Sequence, residues 1–72
     1  MNIQTVAENL RNTISGKEQY LVAVINGLQS SKGVDRVVLK TTKAMLELNI
    51  NELKRVLQDV EQCEDQLAAD AR

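Results

Sequence analysis

The chain has 72 residues, with ten Asp and Glu against nine Lys and Arg, so its net charge of -1 gives no overall field favouring nucleic acid or an acidic membrane surface. Its length allows one domain, and its 43% hydrophobic content is too high for a disordered tail. One cysteine and no histidine exclude an intrachain disulfide and a Cys/His zinc site. A compact chain of 8.0 kDa removes roughly 7,000 Å² from water on folding, a gain nearly cancelled by the entropy of ordering the chain. Self-association is therefore the expected staple.

In chain order, the first helix signal is Thr5-Val6-Ala7-Glu8, which fits a capping box. From there apolar residues recur at alternating three- and four-residue steps: Ile3, Ala7, Leu10, Ile14, Lys17, Leu21, Val24 and Leu28, seven apolar of eight. Ser15-Gly16-Lys17-Glu18 repeats the capping pattern at the one polar position of that line. It predicts a kink near Gly16, or a break giving helices over 5–14 and 17–30. Tyr20 to Ile25 is the longest apolar run, at six residues with no basic stretch before it. That argues against a membrane span and a secretory leader, and with the lone thiol predicts a cytoplasmic protein.

Ser30-Ser31-Lys32-Gly33 is the clearest break, with Gly33 suited to a left-handed helix end and Asp35 to a helix N-cap. Beyond it Leu39, Thr42, Leu46, Asn49, Leu53, Val56, Val60, Cys63 and Leu67 form a second line, seven apolar of nine. At 43% background, about seven of these seventeen positions would be apolar by chance, against the fourteen present. Two such lines predict antiparallel helices packed as in a coiled coil. Further apolar residues flank them: Val6, Tyr20 and Ile25 in the first arm, and Val38, Met45, Ile50 and Leu57 in the second. Two helices satisfy one another along a single line, so this surplus calls for a third or fourth helix.

The predicted fold is all-α: an antiparallel hairpin assembling into an oligomeric four-helix bundle. It forms a single domain over 1–72, with arm one at about 3–30, a turn at 31–35 and arm two at about 36–70. The competing arrangement pairs Tyr20–Ile25 with Val34–Thr41 as a β-hairpin between helices. The seam expected to carry assembly comprises Leu10, Ile14, Leu21, Leu28, Leu46, Asn49, Leu53, Val56, Val60, Cys63 and Leu67. Asn49 and Lys17 are its polar members, read either as devices fixing register or as edge residues with their polar ends in water.

The inventory for catalysis is thin, and no catalytic residue, metal or cofactor is expected. Ser15, Ser30 and Ser31 lack a base and suit capping or turns. Glu61, Glu64, Asp65 and Asp70 read as a solvated acidic face whose charge opposes the helix dipole, predicting last turns that fray unless a partner binds them. Cys63 falls on the seam as a small hydrophobe beside acidic residues that disfavour its thiolate. Tyr20, the only aromatic, is expected to pack and cannot by itself stack bases.

One charge cluster suggests a ligand. Arg36, Lys40 and Lys43 share a face, with Lys32 in the turn beside them and Thr41, Thr42, Ser30 and Ser31 near enough to donate. The cluster lacks the glycine spacing of a phosphate-binding loop, and Asp35 lies within it. The leading functional expectation is a non-enzymatic protein-interaction module, a homodimer or higher oligomer that binds another protein. Its size suits adaptors, chaperones and inhibitor-like regulators, accessory proteins of phages and other mobile elements among them. The alternative is nucleic-acid or phosphorylated-ligand binding at the basic turn.

Overall fold

The computed structural model describes residues 2–70, and within them the chain is two helices, α1 (Ile3–Ser30) and α2 (Val34–Asp70), packed against each other as a hairpin. At about 1.5 Å rise per residue, the 37 residues of α2 set the long dimension of the molecule, 59 × 18 × 15 Å. Among the described residues there is no strand, so the β-hairpin alternative does not form. The β-branched stretches at Tyr20–Ile25 and Val34–Thr41 are both helical. Each lies within an apolar line of helical period, and burial along that line outweighs the modest cost of β-branching in a helix.

The start of α1 lies earlier than the Thr5 capping box predicts. Asn2 is the N-cap: its side-chain oxygen accepts from the Thr5 amide at 2.9 Å and from the Thr5 hydroxyl at 3.2 Å, and its carbonyl accepts from the Val6 amide. Thr5 therefore sits inside the first turn as a donor. The second capping pattern makes no break either, since α1 is helical through Ser15, Gly16 and Lys17. Continuity there keeps Ile14 and Leu21 in one line against α2, which two shorter helices would have to re-establish.

The connection is short, Ser31 to Gly33. Ser31 is extended and its amide and hydroxyl both turn back to the Leu28 carbonyl, closing α1. Gly33 has φ +65, the left-handed value the sequence predicts, but it opens α2 rather than closing α1: its carbonyl accepts from the Val37 amide. Asp35 consequently lies in the first turn of α2, where its charge favours the dipole, and not at the N-cap.

The packing line of α1 is the one read from sequence, with Ala7, Ile14 and Val24 buried and Ile3, Leu10, Lys17, Leu21 and Leu28 half-buried. In α2 the line differs. It runs Leu39, Lys43, Leu46, Ile50, Leu53, Leu57, Val60 and Glu64, so Lys43, Ile50, Leu57 and Glu64 replace the expected Thr42, Asn49, Val56 and Cys63. Ile50 is the only buried residue of α2, while Asn49, Val56, Cys63 and Leu67 are exposed in the single hairpin. The physical reason is local: at 49/50 and 56/57 two adjacent residues compete for the same contact, and the larger or more apolar side chain faces α1.

Three predictions follow from this geometry. Ile50→Ala should lose about 2–5 kcal/mol in urea denaturation, whereas Val37→Ala, on the outer side of α2, should stay within about 0.5 kcal/mol. Gly33→Ala should destabilise by about 1–2 kcal/mol, because a Cβ disfavours its left-handed backbone. Gly16 has open space around its Cβ position and a helical backbone, so Gly16→Ala should stabilise by about 0.5–1 kcal/mol in the same measurement. A break in α1 at that point would remove the gain.

Candidate functional site

The hairpin has two unlike flanks, and the seam generates both. On a helix, the residue before each seam position falls to one side of the contact line and the residue after it to the other. In α2 the residues after the seam include Glu47, Lys54, Glu61 and Asp65, and in α1 they include Glu8, Arg11 and Glu18. Because the helices are antiparallel, these meet on one flank of the hairpin. The cross-helix ion pairs form there: Lys54 to Glu18 at 3.2 Å and Arg11 to Glu61 at 3.3 Å. Arg11 also reaches Glu64, which stands on the seam, at 3.6 Å.

These pairs change the reading of the acidic C-terminal end. The dipole argument predicts fraying, but α2 stays helical to Asp70. Antiparallel packing brings the start of α1, with its free amides and no acidic residue in the first turn, beside the end of α2. Arg11 adds a full positive charge. Helix dipole and cation together compensate the carboxylates that α2 alone leaves unfavourably placed.

The other flank is built from the residues before the seam. From α2 these are Val38, Thr42, Met45, Asn49, Glu52, Val56, Asp59 and Cys63; from α1 they are Val6, Asn9, Thr13, Gly16, Tyr20, Ala23 and Gly27. Only Glu52 and Asp59 are charged. At mid-length this flank opens into a shallow groove of about 590 Å³, bordered by Lys17, Tyr20, Thr42, Met45, Asn49 and Glu52 among others. Tyr20 is 57% exposed and Met45 66% exposed, so the flank carries large apolar groups in contact with water. Of the seam list, Leu10, Ile14, Leu21, Leu28, Leu46, Leu53 and Val60 lie in the contact between α1 and α2. Asn49, Val56 and Cys63 lie on this open flank, and Leu67 is exposed near the end of α2.

Two residues expected to pack thus stand elsewhere. Cys63 is exposed because Glu64 takes the seam position, and Tyr20 borders the groove instead of entering the core. Asn49 takes the edge position of its two readings within the hairpin. Lys17 stays on the α1 line, half-buried, with its side chain at the border of the groove. The flank as a unit escaped the sequence reading, although its signal was present: Met45, Asn49, Val56 and Cys63 each immediately precede a seam residue.

At the basic turn Arg36 and the hydroxyls turn toward backbone carbonyls. Arg36 Nη1 donates to the Leu28 carbonyl at 3.4 Å, joining the Ser31 hydroxyl at 3.1 Å on the same oxygen. The Ser30, Thr41 and Thr42 hydroxyls donate to the carbonyls of Gly27, Val37 and Val38. Lys43 is half-buried and pairs with Glu47 at 3.6 Å, leaving Lys32 and Lys40 exposed without an ion pair among the described residues. The cluster therefore acts as a cap: α1 has no basic residue in its last turn, and Arg36 supplies one from across the connection.

Among the described residues, no group of three His, Cys, Asp or Glu side chains is placed to hold a metal ion, and no helix is long and apolar enough to cross a membrane. Comparison with protein-family models, with curated proteins and with solved structures finds no match to this chain.

Proposed function

We propose that the protein is a non-enzymatic interaction module that works as a helical homo-oligomer, in its simplest form a dimer of hairpins closing a four-helix bundle. The observation that carries this is surface area. Folded monomers of 8.0 kDa expose about 4,500 Å² by the mass scaling of compact proteins, and the hairpin exposes 5597 Å², about 1,100 Å² more. A standard interface buries about 800 Å² per partner. One further subunit is of the right scale to absorb the difference.

The core supports the same reading from the inside. Among the described residues only Ala7, Ile14, Val24 and Ile50 are buried, while ten large apolar side chains stay exposed, including Tyr20, Val38, Met45, Val56 and Leu67. A hairpin has one contact line, so its remaining apolar surface can leave water only against another molecule. Adaptor, chaperone or inhibitor-like activity fits a small bundle of this kind, with a second protein as its target. The basic turn is left out of the proposal: one Arg36 nitrogen and the nearby hydroxyls donate to backbone carbonyls and Lys43 pairs with Glu47, which leaves Lys32 and Lys40 as its unpaired cations among the described residues.

Sedimentation equilibrium across the micromolar range should show a dimer, with a far-ultraviolet circular dichroism spectrum dominated by helix. A compact, stable monomer at those concentrations would overturn the proposal. Asn49→Leu removes an amide from the open flank, and it should raise the melting temperature while loosening stoichiometry, as deletion of a register-fixing polar residue does. Light scattering on the variant checks the second half of that expectation.

A further inference from the structure

We infer that the sparsely charged flank holding Tyr20, Met45, Asn49 and Val56 is occupied by the same flank of a second copy, aligned by reciprocal pairing of Lys17 in one chain with Glu52 in the other. This rests on the homo-oligomer reading and specifies its interface. Length is the first argument for a like copy. The flank runs along a hairpin 59 Å long and only 18 by 15 Å across, and a second hairpin covers it from end to end. The surplus of about 1,100 Å² per chain over a compact monomer is the area such a contact removes.

Charge distribution selects the flank. The opposite side carries Arg11, Glu18, Lys54 and Glu61, already joined across the two helices, and burying those pairs would cost their solvation. The groove side has small residues from α1, Thr13, Gly16, Ala23 and Gly27, which permit close approach, and Tyr20 and Met45 as bulky anchors.

Lys17 and Glu52 supply register. Both border the groove, they carry opposite charges, and neither belongs to an ion pair among the described residues. In a two-fold contact, residue i meets residue j and j meets i, so one cation and one anion on a chain make two pairs between copies. Glu52 is also the central residue of α2, which spans Val34 to Asp70. The Lys54–Glu18 pair holds residues 17 and 52 at similar heights, so a two-fold axis running along the hairpin, not across it, sets Lys17 of each copy against Glu52 of the other.

The test uses sedimentation equilibrium of the full chain and its variants. Met45→Glu should give a monomer at concentrations where the parent protein dimerises, and Val22→Glu, on the ion-paired side, should leave the dimer intact. Lys17→Glu and Glu52→Lys should each weaken self-association roughly tenfold, since each makes two like-charge contacts in its homodimer. Mixing these two variants should restore a dimer containing one chain of each, because both cross-pairs are then of opposite charge. Rescue on mixing cannot come from pairing within a chain, and it stays readable by helix recovery if the separated variants unfold. A parent dimer disrupted by Val22→Glu and untouched by Met45→Glu would overturn the assignment of the flank while leaving the homo-oligomer reading intact. A dimer with no gain on mixing would overturn the Lys17–Glu52 pairing, and a parent protein monomeric throughout would remove the homo-oligomer reading itself.

Discussion

Everything in this molecule is set by the single line of contact between α1 and α2. Two helices joined by three residues touch along one seam, and the deepest burial on it belongs to Ala7, Ile14, Val24 and Ile50. That seam determines which residues become flanks, which charges can reach across, and how much apolar surface is left over. Helical propensity alone does not hold arms of 28 and 37 residues side by side; removal of the seam residues from water does.

The polar contacts follow the seam and add precision at its ends. At the closed end Leu28 exposes a carbonyl that α1 cannot satisfy internally, and the Ser31 amide, the Ser31 hydroxyl and Arg36 converge on it. At the open end Arg11 sits between Glu61 and Glu64, beside the N-terminus of the helix that faces them. The Glu61, Lys54 and Glu18 side chains of the ion pairs are near half exposure, so screening by water leaves them little net worth in stability. Their stronger effect is on orientation, since a rotated helix would place Lys54 and Glu61 away from Glu18 and Arg11.

Much of this was legible from the sequence, and the failures have identifiable causes. The all-helical hairpin, the left-handed Gly33 and all eight contact positions of α1 follow from period and turn chemistry. In α2 alternate positions of the line shift by one residue because Thr42, Asn49, Val56 and Cys63 keep a seven-residue spacing as regular as that of Lys43, Ile50, Leu57 and Glu64. Periodicity cannot separate two parallel stripes offset by one position; side-chain size and the geometry of the facing helix do. The end signals failed differently. Thr5 and Ser15 both carry the capping pattern, but a cap requires the preceding backbone to leave the helix, and the Asn2 side chain satisfies that role earlier. The basic turn was legible as a cluster, but only coordinates reveal that Arg36 and the neighbouring hydroxyls donate to backbone carbonyls while Lys32 and Lys40 stay exposed.

The two stripes of α2 are also what makes the flank more than leftover surface. If the apolar residues beyond the seam were scattered, they would be ordinary for a monomer, of which much of the surface is apolar in any case. Here part of them shares one side: Val38, Met45, Val56 and Cys63 all precede a seam residue, with Glu52 and Asp59 as the charges among those positions, whereas the positions after the seam in α2 hold Lys40, Glu47, Lys54, Glu61 and Asp65, and Val37 and Leu48 lie on the outer side. A helix that faced one neighbour would need only its seam and could be polar on both flanks. A helix at the corner of a bundle faces two neighbours at about a right angle, and its apolar surface must extend from the seam to one side only. The proposed bundle places α2 at such a corner, with Val38, Met45, Val56 and Cys63 on the side that meets the second neighbour. The matching side of α1 carries no Lys, Arg, Asp or Glu among Val6, Asn9, Thr13, Gly16, Tyr20, Ala23 and Gly27, so the same proposed contact would bury no charge from α1's flank.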